Sequence, residues 1–102
     1  MITTSDNYVL TEGSKVLYSG LRILSVPTVS DLLGTVEIEA RALFDTDSIA
    51  NHVSLSFTEA EINAFTSSGT TDRDKFYNQC EQAVKDYLEG LTENSGATFT
   101  IT

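Results

Sequence analysis

The feature that most constrains this chain lies between residues 71 and 91. Phe76, Cys80, Val84, Tyr87, Leu88 and Leu91 recur at helical spacing and form one apolar stripe. A helix of this length runs about 30 Å and needs an apolar surface along most of it. Its start is marked by Thr71 or Asp72 as cap, with Asp72 and Asp74 near the positive end of the helix dipole. Glu81 and Lys85 form an i,i+4 pair on its outer side, and Gly90 predicts its end.

The surface that covers this stripe must come from segments of strand periodicity. Thr35 to Phe44 (TVEIEARALF) sets Val36, Ile38, Ala40 and Ala42 on one side, with Glu37, Glu39 and Arg41 on the other. Glu, Ala, Arg and Leu also favour helix, so helix is the rival reading of residues 35–44. The alternation carries more weight. His52 to Phe57 (HVSLSF) alternates in the same way, and so does Ala97 to Thr102 (ATFTIT). Lys15 to Val26 is rich in Val, Ile, Leu and Tyr, with a phase shift at Gly20 that suits a bulge. Pro27 is expected to end that strand. Thr28 to Gly34 then reads as a single helical turn, capped by Thr28 or Ser30.

The connections are short. Asn7 to Thr11 is a short strand or an extended arm, and Glu12-Gly13-Ser14 a turn. Asp45 to Ser48 is a loop. Thr58 and Glu61 match a capping box, which predicts a first helix over Glu59 to Phe65. Ser67 to Thr71 reads as a flexible connector, and Thr92 to Gly96 as a turn. The expected fold class is α+β: a small antiparallel or mixed sheet with two helices packed on one face. Residues 1–6 are expected to be a flexible N-terminal segment and residues 7–102 a single α+β domain.

Charge narrows the partners. The 102 residues hold 15 acids and 6 bases, a formal net charge of -9. Duplex DNA and anionic membranes repel such a chain, so neither direct nucleic-acid binding nor a membrane partner is expected. The single cysteine, Cys80, leaves no intramolecular disulfide. The first residues lack the basic and apolar regions of a secretory signal, which points to synthesis in the cytoplasm.

No set of residues amounts to a catalytic or metal-binding motif, and no catalytic, cofactor or metal residue is assigned. His52, the only histidine, has Ser54 two residues away and Ser56 beyond it. A serine and a histidine close together on a strand make a loose pattern, and a polar residue at a strand start is the commoner case. Cys80 sits on the apolar stripe beside Glu81, the environment of a core cysteine rather than a reactive thiolate. Asp45, Asp47 and Ser48 resemble the start of a calcium loop. Ala50 and Ser56 stand where such a loop needs glycine and glutamate. Glu37 and Glu39 lie about 7 Å apart on one strand face, with Arg41 next along to neutralise one of them. Tyr8, Tyr18, Tyr77 and Tyr87 follow no stacking motif, although Tyr77 extends the helix stripe or marks a contact surface.

The chain resembles the small structural proteins of tailed-bacteriophage virions. The resemblance rests on the Ser/Thr-rich strand faces HVSLSF and ATFTIT. It also rests on the helix DRDKFYNQCEQAVKDYLEGL, followed by an Asn-Ser-Gly turn into a terminal strand. It implies a non-enzymatic subunit in a virion head, connector or tail, packed against copies of itself or neighbouring virion proteins. The edges of a small sheet, which can accept a neighbouring strand, are compatible with that role. Outside a virion the expected location is the cytoplasm. Two other classes stay open. An acidic binding or inhibitor module would capture a basic protein partner in a salt-sensitive complex. An enzyme would need a pocket bringing His52 or Cys80 beside a carboxylate.

Overall fold

The computed structural model describes residues 2–4, 7–11, 18–19, 22–30, 32–43 and 49–101. Its main sheet has five strands: β1 (Ile2–Thr4), β4 (Arg22–Ser30), β5 (Thr35–Leu43), β6 (Ile49–Thr58) and β7 (Phe99–Ile101). Every neighbouring pair is antiparallel, in the order β6-β5-β4-β1-β7. A separate two-stranded ribbon pairs β2 (Asn7–Tyr8) with β3 (Tyr18–Ser19). Two helices, α1 (Glu59–Asn63) and α2 (Asp72–Gly90), lie against the main sheet, and the fold is of the α+β class expected from the sequence.

One register explains the core. Val36, Ile38, Ala40 and Ala42 of β5 are all buried, while Glu37 between them is exposed. Residues 35–43 are therefore strand, as the alternation implied. Directly opposite on β6 stand Phe57, Leu55 and Val53, facing Val36, Ile38 and Ala40. On β4, Ile23 faces Ala42. Ile23 and the four β5 side chains form one buried cluster with Cys80, Ala83, Val84 and Leu88 of α2, and Val53, Leu55 and Phe57 pack half-buried against it. The stripe found in the sequence is thus the face α2 turns to the sheet.

The N-terminal residues correct the expectation of a flexible segment over 1–6. Ile2–Thr4 is a strand between β4 and β7, with Ile2 opposite both Ile23 and Ile101. Ile2 is fully buried. Pairing on both sides offsets the ordering cost that a polar chain start would otherwise avoid. Residues 1, 5 and 6 lie outside the described set.

Pro27 is the second correction, because β4 runs through it to Ser30 and pairs it with Ile38. The described pairing of β1 with β4 ends at Ile23. Beyond that point the β1 side of β4 has no described partner, and a proline whose nitrogen faces an open side removes no ladder bond. Thr28 is accordingly strand, not helix cap. The single turn that follows is a hairpin loop, in which the Gly34 N–H donates to Ser30 O at 2.9 Å. Gly34 holds φ at +64°, the left-handed value that closes such turns. The expected turn at residues 12–14, the bulge at Gly20 and the loop over 45–48 fall outside the described residues.

The helix signals behave as their chemistry dictates. The Thr58 hydroxyl accepts from Glu61 N at 3.2 Å, and the Glu61 carboxylate accepts from Thr58 N at 3.1 Å, completing the capping box. α1 stops at Asn63, short of the expected Phe65. Thr71 caps α2 by accepting from Asp74 N at 3.1 Å. Lys85 reaches forward to Glu89 at 2.6 Å. The connector before α2 is held rather than loose. Gln79 donates to Phe65 O at 2.9 Å and Gln82 to Thr66 O at 2.6 Å, while Ser68 N donates to Asn78. After α2, a 3-10 turn over Thr92–Asn94 leads into β7, which starts at Phe99 rather than Ala97.

Candidate functional site

β6 is an edge strand. Among the described residues its one neighbour is β5. Its ten residues, IANHVSLSFT, include no Asp, Glu, Lys or Arg. Such an edge presents backbone N–H and C=O groups to any strand that approaches, and proteins usually block it with lysine, proline or a bulge. Here the one register irregularity lies at its start, where Ala42 pairs with Asn51 and Leu43 with Ile49. From Asn51 to Thr58 the strand is regular.

The two faces of β6 differ in chemistry. Ser54, Ser56 and Thr58 are exposed. Val53, Leu55 and Phe57 turn toward the helices but are only half-buried. Next to Phe57 a groove of about 500 Å³ opens between the sheet edge and the helices. Phe65 and Ala64 line it after α1, with Ala83 and Tyr87 from α2. Two acids, Glu61 and Asp86, stand at this otherwise apolar groove. Glu61 is already engaged by the Thr58 cap.

The candidate residues of the sequence scatter over both faces. His52 projects from the outer face of β6, opposite Arg41. Its Nδ1 lies 3.9 Å from Glu39 Oε1, and its side chain is 58% exposed. Glu39 is held mainly by Arg41, whose Nε and Nη2 each stand 3.0 Å from a carboxylate oxygen. The hydrogen bond from Arg41 lowers the Glu39 pKa, against a smaller opposing effect of desolvation. The same bond raises that of Arg41. Ser54 lies opposite Glu39 rather than beside His52. The sheet thus brings His52 near a carboxylate, but on an open face where that carboxylate already pairs with an arginine.

Cys80 is on the opposite side of the sheet, fully buried under α2. Burial pushes its pKa from 9.0 up to about 11, with Glu81 adding to the effect. A thiol held protonated in this way is a poor nucleophile. Glu37 is exposed opposite Ser56. Asp45, Asp47 and Ser48 lie outside the described residues, but Ala50 and Ser56, the glycine and glutamate positions of a calcium loop, both belong to β6. Among the described residues no three His, Cys, Asp or Glu side chains stand together to hold a metal ion. Tyr77 is partly exposed with the Arg73 guanidinium 5.3 Å from its ring centre. No helix among the described residues is long and apolar enough to cross a membrane.

One surface feature was not visible beforehand. Leu32 and Leu33 at the β4–β5 hairpin tip are 94% and 70% exposed. In the sequence they read as part of a helical turn, where a leucine pair would find cover. No family model matches the chain, and no curated protein or solved structure matches it.

Proposed function

We propose that this protein is a non-enzymatic assembly subunit that works by packing against copies of itself or neighbouring proteins. Small structural proteins of tailed-phage virions fill this role, in a head, a connector or a tail. The observation that carries the reading is the β6 edge. A chain of net charge -9 keeps a ten-residue edge strand clear of Asp, Glu, Lys and Arg. Charge elsewhere opposes self-association, so an uncharged open edge is where association costs least. The half-buried apolar row of Val53, Leu55 and Phe57 adds area that a neighbour would take out of water.

The test is the mass of the purified chain by light scattering at low and high salt. Assemblies larger than 11.1 kDa that grow as salt rises support the reading. A monomer at all concentrations and salts overturns self-assembly.

A second reading has one observation in its favour. Glu61 and Asp86 stand at an otherwise apolar groove, a combination that suits a basic side chain carried on an apolar segment. In that case the protein is an acidic binding module for a basic partner. Its complexes weaken as salt rises, the opposite of the response expected of self-assembly.

A further inference from the structure

We infer that β6 pairs with β6 of a second copy, antiparallel and centred on Leu55, joining two five-stranded sheets across a two-fold axis. This deepens the assembly reading above and rests on it. Edge-to-edge antiparallel pairing of identical strands requires a two-fold axis normal to the sheet. Such an axis sets side chains of the same face opposite one another, so the pairing must centre on a residue.

Three centres use most of the strand, and their side chains separate them. About Leu55, Leu55 meets its own copy and Val53 meets Phe57, apolar against apolar on the helix side. On the outer side Ser54 meets Ser56 and His52 meets Thr58. The ladder then spans His52 to Thr58, within the regular part of the strand. Its free donors lie between those ends, because His52 N already donates to Asn51 Oδ1 and Thr58 N to the Glu61 carboxylate. Centring on Ser54 sets the Asn51 amide against the Phe57 ring and draws the irregular Ala50 position into the ladder. Centring on Ser56 sets Val53 against Glu59, beyond the end of β6. Only the Leu55 register matches chemistry on both faces.

The competing edge is weaker. β7, at the far side of the sheet, has three residues, against ten in β6. A head-to-tail contact of β6 with β7 would form a far shorter ladder. Charge also favours the β6 pair. Two copies of net charge -9 repel each other, and the β6 seam brings no acid from either copy into the ladder. Glu59 falls just past its end. The groove beside Phe57 borders the same edge. Val53 of the second copy, opposite Phe57, covers apolar surface that the helices leave half-open.

The test uses the full chain with exposed serines exchanged for cysteine. Ser54→Cys and Ser56→Cys chains are purified separately, mixed in their reduced form, and oxidised mildly. In the Leu55 register, residue 54 of one copy faces residue 56 of the other. Residue 54 and its own copy are diagonal, about 7–8 Å apart, too far for a relaxed disulfide. The expected result is about tenfold more cross-linked dimer in the mixture than in either variant alone. Light scattering should give twice the 11.1 kDa chain mass, with the dimer fraction rising with salt. The native Cys80 is buried and does not interfere. If each variant cross-links alone as well as in the mixture, this register is overturned. Oligomers without a cross-link overturn the β6 pair but leave the assembly reading standing. A monomer at all concentrations and salts overturns the β6 pair together with self-assembly, and leaves only packing against neighbouring proteins.

Discussion

The side chain of Asn94 pairs with the backbone of Val9 as a neighbouring strand would. Its Oδ1 accepts from Val9 N at 2.7 Å, and its Nδ2 donates to Val9 O at 3.0 Å. The same Nδ2 donates to Leu88 O at 3.0 Å, so one buried amide ties the N-terminal ribbon to the end of α2. Asn94→Ala leaves these buried backbone groups without their partner. The expected loss is about 3 kcal/mol, read as a lower urea midpoint. Asn94→Asp keeps the acceptor and loses both donated bonds, so it should also destabilise strongly. A loss below about 1 kcal/mol for either variant would mean that the ribbon is anchored elsewhere.

Two glycines separate backbone strain from steric overlap. Both have positive φ, +64° at Gly34 and +140° at Gly69. A Cβ on Gly34 meets nothing within 4 Å, so Gly34→Ala costs only its conformation, about 1–2 kcal/mol. A Cβ on Gly69 would lie 2.7 Å from the Asp74 Cβ and 3.1 Å from its backbone carbon. Gly69→Ala is therefore expected to cost more than Gly34→Ala, and Gly34→Asn less than either. Thermal midpoints of the three variants give the order directly.

Ser25 predicts a gain. It is buried on the helix side of the sheet opposite Ala40, and its hydroxyl has no hydrogen-bond partner among the described residues. Ser25→Ala removes the desolvation cost of that hydroxyl and leaves the backbone ladder intact. Stability should rise by about 1 kcal/mol in urea unfolding. An unchanged or lower midpoint would mean that the hydroxyl is satisfied in solution.

Cys80 links stability to alkaline pH. Its folded pKa is raised to about 11 from the ordinary 9.0. Above pH 9 the unfolded thiol gives up its proton, while the buried one keeps it until about pH 11. The stability this group contributes is therefore complete below pH 9 and is lost as pH climbs toward 11. Lysines and tyrosines titrate in the same range, so the measurement is the difference between wild type and Cys80→Ala. The gap between their urea midpoints should change in favour of the variant from pH 9 to pH 11. A thiol reagent at pH 8 should label Cys80 only as fast as the chain opens.

Within this fold, the elements legible in the sequence are those whose signal is local. The α2 stripe from Phe76 to Leu88 and the alternation of Val36, Ile38 and Ala40 repeat the period of their own backbone. They declare both the element and its buried face. The Thr58–Glu61 cap is a four-residue motif that satisfies its own donors, so it needs no distant partner to be recognised. Of the candidate surface, the uncharged run HVSLSF could be seen as a strand with one apolar face.

What stayed hidden depends on residues far apart in the chain. Ile2 reads as part of a polar start until Ile23 and Ile101 stand on either side of it. Pro27 reads as a strand stop until it stands beyond the described pairing of β1 with β4, on a side that has no partner among the described residues. Asn94 reads as a turn residue until it meets Val9. β6 reads like any other half-buried strand, because its side-chain pattern does not show whether one backbone edge or both are paired. Local periodicity is written by side chains at fixed spacing. Strand order, and with it the exposed edge, comes from backbone pairing between distant segments, so tertiary structure alone decided which strand this protein leaves open.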